Sequence, residues 1–177
     1  MTADNVFVIA EAGVNHNGDL ALAHRLVDEA ANAGADAVKF QTFKAERVAG
    51  DDAPKAAYQR QTTDAGESQL DMLRRLELPQ DAHDALKCQC EARHIEFMST
   101  PFDPDSADFL AALGLRRFKI GSGELTNLPF LAHVASHGRP VILSTGMATL
   151  DEIGSATPML DWLSATHETQ YSRLFRS

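Results

Sequence analysis

The chain has 177 residues, 44% of them hydrophobic and 23% charged, with a formal net charge of −9, enough length for one domain with a sizeable core. The acidic balance argues against a nucleic-acid or membrane-surface partner, although a few lysines in a cleft can still dominate a local field. No apolar run approaches the ~18 residues of a membrane span and "MTADNVFVIAEAG" has no basic leader, so a cytoplasmic protein is expected.

Val6 to Ala10 is almost continuously apolar and predicts a buried first strand. "NGDLALAHRLVDEAANAG" predicts a helix, capped by Asn17 or Asp19, stopped by Gly34, with Leu22, Leu26, Ala30 and Ala33 on one face. "DAVKFQTF" is the second strand. Residues 44–65 have no period and read as a long loop, followed by a short helix carrying Leu70, Met72, Leu73 and Leu76. Pro79 opens the next helix, in which Cys88 and Cys90 form a lone C-x-C, read as two reduced thiols rather than a metal site. "IEFMST" is the third strand, and "DPDSADFLAALG" a capped helix ending at Gly114. "RRFKIGSG", "NLPFLAHVASHG" and "PVILST" supply the fourth strand, a helix and the fifth strand.

The predicted strands thus fall near residues 6–10, 37–42, 95–100, 117–121 and 140–145. Strands alternate with helices and are too apolar to face water on one side, which means a parallel sheet covered by helices. Polar residues sit at or just past the C-terminal end of each strand: Glu11, then Lys39 with Gln41, Ser99 with Thr100, Lys119 with Ser122, and Ser144 with Thr145. Side chains from several successive strand ends converge in a (β/α)8 barrel, whereas an open sheet gathers them at one switch point. The expected fold is therefore α/β of the (β/α)8 TIM-barrel type, incomplete, with about five β/α units. After residue 156 the pattern stops, and 157–177 reads as a tail in which Pro158 interrupts the expected helix.

"FKIGSGELTN" raises a specific question. Gly-Ser-Gly after a strand suits an anion, because glycines let backbone N–H groups approach a phosphate, yet Glu124 follows directly. Set beside a phosphate it would repel, so it is expected to face a second, neutral substrate, or else to start the next helix at the surface. Lys39 and Lys119, inside a parallel sheet, call for an anionic ligand or a structural carboxylate such as Glu11 or Glu124. Thr100 and Ser144 offer further hydroxyls, which also fit helix capping or loop entry.

"AEAGVNHNGDL", "VKFQTFKA", "STPFD", "FKIGSGELTNLP" and "ILSTGMATLDEI" together closely resemble the N-terminal barrel of the sialic acid synthase family, over roughly residues 6–156. "APKAAYQRQTTDAGESQLDMLRRLEL" looks most like its N,N′-diacetyllegionaminate branch. The resemblance implies condensation of phosphoenolpyruvate with an N-acetylated mannosamine-type sugar, releasing phosphate, in a homodimer. It places Lys39, Thr100, Lys119, Ser122 and Ser144 on phosphoenolpyruvate, Gln41 and Glu124 facing the amino sugar, and Glu11 at the pocket floor, with Glu124 and Lys119 closest to catalysis. It also implies a divalent metal, manganese or magnesium, held by two histidines on later strands, and a small antifreeze-like C-terminal domain. None of the seven histidines matches those ligands. The expectation is a synthase barrel present only in its N-terminal part and inactive alone. Two alternatives stand beside it: a non-catalytic chain that binds a ligand or partner weakly, and a Schiff-base aldolase using Lys39 or Lys119, which borohydride trapping with pyruvate would reveal.

Overall fold

The computed structural model describes residues 6–49, 68–146 and 148–165. In chain order these form β1 (Ile9–Gly13), α1 (Leu20–Asn32), β2 (Ala37–Thr42), α2 (Ala45–Val48), α3 (Gln69–Leu76), α4 (Gln80–Ala92) and β3 (Glu96–Pro101). They continue with α5 (Pro104–Leu113), β4 (Phe118–Ile120), a 3₁₀ turn at Ser122–Glu124, α6 (Leu128–Ser136), β5 (Val141–Leu143) and α7 (Leu150–Ala165). The chain divides into two compact units, residues 1–99 and 100–177.

The first unit holds a sheet in the order β1-β2-β3. β1 and β2 run parallel with Glu11 opposite Lys39. The β2 side chains Ala37, Val38 and Phe40 are fully buried, as expected of a central strand covered on both faces. Asp19 caps α1 by accepting from the backbone N–H groups of Ala21 and Leu22, and Ser68 caps α3 through the N–H of Asp71. The second unit pairs β4 with β5, again parallel, with Lys119 opposite Ile142. Asp103 caps α5, accepting from both the N–H and the hydroxyl of Ser106, and Gly114 ends that helix in the left-handed region at φ 85°. Arg139 ties the approach to β5 back onto α5 by donating to the carbonyls of Ala111 and Leu115.

Four expectations need correction. The loop expected over residues 44–65 begins instead with the helical turn α2, where the Ala45 N–H donates to the Glu77 carboxylate; residues 50–65 lie outside the described residues. The first strand begins at Ile9 rather than Val6, and Val6, Phe7 and Val8 are exposed by 81%, 42% and 51%. Apolar character alone does not make a strand: the carbonyl of Val8 accepts from Asp36 and Ala37 and its N–H donates to the Asp36 carboxylate, so regular pairing starts only beyond it. The buried face of α1 is Ala23, Val27 and Ala30, not the Leu22–Leu26–Ala30–Ala33 stripe. The small residues let the helix approach its neighbours closely, leaving the two leucines at the margin of the contact. α7 runs on through Pro158, with the Thr157 hydroxyl donating to the Ile153 carbonyl in the adjoining turn.

Candidate active site

In the first unit, β1 and β2 bring Glu11, Lys39 and Gln41 to neighbouring positions. Lys39 is almost wholly enclosed, and its Nζ meets Glu11 Oε2 at 2.6 Å. A buried ammonium needs such a partner, because losing its hydration without one costs several kcal/mol. The Glu11 side chain, in contrast, is 57% exposed, so the pair opens to solvent on its acidic side. Gly13 sits at φ 53° where the β1–β2 register shifts, and a Cβ there would stand 3.3 Å from Glu11 Oε1 and 3.8 Å from Gln41 Nε2. A glycine is needed at this bulge both for the positive φ and for the space.

Behind them lies a buried polar chain. Thr42 Oγ1 lies 2.7 Å from Ser99 Oγ and 2.9 Å from His83 Nε2, while His83 Nδ1 lies 3.0 Å from the Pro79 carbonyl. The same network fixes the tautomer. A ring nitrogen facing a carbonyl must donate, so Nδ1 carries the proton and Nε2 accepts from Thr42. His16, fully buried in the turn after β1, uses Nδ1 to accept from the Gly18 N–H at 3.0 Å. Its enclosed Nε2 has no hydrogen-bond partner among the described residues. Burial holds both histidines below the usual imidazole range, and for His16 repulsion from His83 adds to it. Neither residue was singled out from the sequence, since only the fold reveals that they are buried.

Thr100 is 4% exposed on β3. In the second unit the parallel register brings Lys119 to Ser144: the ammonium donates to the Ser144 hydroxyl and, at 2.9 Å, to the Ile120 carbonyl. Ser144 N in turn donates to the Ile120 carbonyl at 3.0 Å, so the two strand ends are bonded to one another. Ser122 is half-buried in the 3₁₀ turn between Gly121 and Gly123. Gly121 has an ordinary φ of −72°, and among the described residues a Cβ on either glycine would meet nothing within 4 Å. The fold therefore does not require glycine here, and the turn keeps open room beside its backbone. Glu124 ends that turn, and its Oε2 accepts from Asn127 Nδ2 at 2.9 Å. Asn127 also caps α6 through the N–H of Phe130, so the carboxylate is oriented by the start of a helix while Leu125 anchors the turn in the core.

Cys90 is buried and its thiol is pushed up to about 12 by that burial, which leaves it unreactive, while Cys88 is exposed. Among the described residues, the one group of three that could hold a metal ion is Asp108, His133 and His137, which lie on α5 and at the end of α6 rather than at strand C-termini. The strand-end residues therefore do not fit the divalent metal that the family resemblance implies. The quoted loop runs partly through residues 53–67, outside the described residues, as do Met147 of "STGM" and residues 166–177 of the tail.

A model described as the NeuB family matches residues 26–174. The chain is 54% identical over 153 residues to the N,N′-diacetyllegionaminic acid synthase of Campylobacter jejuni, covering 86% of this chain and 46% of that protein. It is 52% identical over 147 residues to the synthase of the same name from Legionella pneumophila, covering 83% and 41%. It thus spans less than half the length of these curated relatives. A crystal structure of N-acetylneuraminic acid synthetase from Leptospira borgpetersenii superposes with a TM-score of 0.76 at 32% identity, over 90% of this chain and 51% of that one. The architecture accordingly comprises five β/α units of the TIM-barrel type found in such synthases.

Proposed function

The chain belongs to the NeuB family, and on that premise we propose that it forms the phosphoenolpyruvate-binding part of a nonulosonic acid synthase barrel. In the proposed reaction C3 of phosphoenolpyruvate attacks the aldehyde of an open-chain N-acetylated mannosamine-type sugar. Water adds at C2, and phosphate leaves by cleavage of the C2–O bond. The observation that carries this reading is the Lys119 ammonium bonded to the Ser144 hydroxyl at paired strand ends, in a chain 54% identical to a diacetyllegionaminic acid synthase.

Lys119 and Ser144 would hold an anionic group of phosphoenolpyruvate, with Thr100 and Ser122 of the same unit completing the set; the family resemblance assigns Lys39 of the first unit to an anion as well. Within the first unit Glu11 occupies the place beside Lys39 that an anion would take, so binding there would require Glu11 to yield or share that lysine. Glu124, held by Asn127, is assigned to the sugar, where it accepts a hydroxyl hydrogen bond or moves a proton. This division answers the conflict inside "GSGE": the serine serves the anion and the glutamate the neutral partner. The divalent metal that the resemblance implies would, when bound, supply Lewis-acid polarisation of the aldehyde. The resemblance assigns its ligands to strands later than the fifth, and the roles above do not depend on it.

The test uses an intact synthase carrying this segment. Lys119→Ala should weaken phosphoenolpyruvate binding by about 1.5–3 kcal/mol, the worth of a charge-assisted contact. Glu124→Gln should depress kcat far more than it changes the KM for phosphoenolpyruvate. Unchanged turnover in Glu124→Gln would remove the role assigned to that carboxylate.

A further inference from the structure

α6 carries His133, and His137 follows as its C-cap residue, still in right-handed helical backbone and one turn on; α5, packed against α6, carries Asp108. Side chains four apart on a helix share a face, and Asp108 meets both. Its Oδ1 lies 2.7 Å from His133 Nε2 and 3.1 Å from His137 Nε2. The two imidazoles stand edge to face, 5.4 Å between centroids and at 87°. One candidate ligand atom from each residue lies within 4.8 Å of the other two.

Hydrogen bonding accounts for only half of this arrangement. His133 is bonded to the carboxylate. His137 Nε2 is enclosed and close to the same oxygen, yet makes no hydrogen bond of acceptable geometry among the described residues. A nitrogen that converges on a carboxylate without being bonded to it is placed as a metal ligand would be. We propose that Asp108, His133 and His137 bind one divalent transition-metal ion, Zn²⁺ foremost, which clips α5 to α6.

Zinc bonds of about 2.0–2.2 Å to nitrogen and oxygen put tetrahedral ligand atoms roughly 3.3 Å apart. Small side-chain rotations from the observed separations reach that spacing. Two imidazoles with one carboxylate suit zinc, cobalt or nickel, whereas calcium and magnesium require oxygen-rich sites. The His133, His137 and Asp108 side chains are 34%, 20% and 55% exposed, so an ion can enter from solvent and a water can complete the set. Phe118, fully buried, stands 5.7 Å from the His137 ring and gives the site an apolar wall. His137 and Phe118 lie near the N-terminal ends of β5 and β4, while Lys119 meets Ser144 at their C-terminal ends. In barrels the N-terminal face serves stability rather than chemistry, so the ion is assigned a structural role.

The experiment uses the 177-residue chain stripped with a chelator and titrated with Co²⁺, followed by visible d–d absorption. One Co²⁺ per chain with a tetrahedral spectrum, displaced by Zn²⁺ and not by Mg²⁺, is expected. Zn²⁺ should also raise the unfolding midpoint. His133→Gln and Asp108→Asn, both at partly exposed positions, should each weaken binding at least about tenfold, and the His133→Gln/His137→Gln pair should abolish the spectrum. Circular dichroism checks that the variants fold, and if the pair does not, His133→Gln alone decides. Absence of saturable Co²⁺ binding up to millimolar concentration would overturn the proposal, as would a spectrum unaltered by these substitutions.

Discussion

His16 and His83 are the residues through which the first unit should feel pH. Phe40 and Phe97 stack between them at 5.8 Å, with His16 on one ring and His83 edge-on to the other. Both imidazoles have their pKa lowered in the folded state, chiefly by burial. The unfolded chain, with histidines near 6.5, therefore binds protons more readily than the folded chain. Stability from this source is fully present above about pH 6.5 and is lost as pH falls from there through the lowered folded values, at up to ~1.4 kcal/mol per pH unit for each histidine. Urea unfolding at pH 7.5 and 5.5 should show a clear fall in midpoint at the lower pH, reduced in His83→Gln. Equal midpoints would mean that the two rings protonate without cost. At the same scale, Glu11 and Lys39 were each singled out by strand-end position, but their 2.6 Å ion pair depends on the β1–β2 register.

At the scale of elements, the turn after β1 is held by a close approach to α3. Gly18 has φ 79°, and a Cβ there would stand 2.2 Å from the backbone carbonyl oxygen of Arg75, in the last turn of α3. No flexible side chain can move aside, so turn and helix would have to separate. Gly18→Ala should therefore cost more than the ~1 kcal/mol typical of a strained glycine site, with His16 losing its Nδ1 bond to the same residue's N–H. The readout is the denaturation midpoint, with Gly34→Ala as the comparison: Gly34 has nearly the same φ of 78°, but among the described residues a Cβ there would meet nothing within 4 Å. Equal losses in the two variants would show that backbone strain alone matters and the α3 contact does not.

At the scale of the whole molecule, the two sheets supply the strand ends but leave apolar surface wet. Val6 and Val8 are more than half exposed, and Val141, Ile142 and Leu143 are only half-buried. Among the described residues no further strand pairs with β1 or β5 on their outer sides, and such edges carry unpaired N–H and C=O groups. The 177-residue chain alone should release no phosphate from phosphoenolpyruvate with manganese and a diacetamido sugar. Metal-dependent turnover by this chain would show that its ligands have been assigned to the wrong place. No helix among the described residues is long and apolar enough to cross a membrane.

The sequence by itself determined the order and kind of most elements, since these signals act within a few residues; it missed α2, read as the start of a loop, and the run of α7 through Pro158. Asp19, Ser68, Asp103 and Asn127 cap helices where their side chains reach the next turn, and Gly114 stops one because it alone tolerates φ 85° cheaply. The runs "DAVKFQTF" and "IEFMST" could be read as strands from apolar and β-branched content. Strand-end position and the five quoted motifs pointed to the candidate residues and to the family. Only the tertiary structure decided which faces are buried and which polar groups meet. It began β1 at Ile9, turned α1 onto Ala23 and Val27, joined Thr42 to Ser99 across 57 residues, and set Asp108 against His133 across 25. "LAHVASHG" displays its paired histidines openly, but nothing near it announces the carboxylate. The reason is physical: periodicity and capping are local energies, whereas a contact between distant residues exists only once strand register and helix packing have fixed both partners in space.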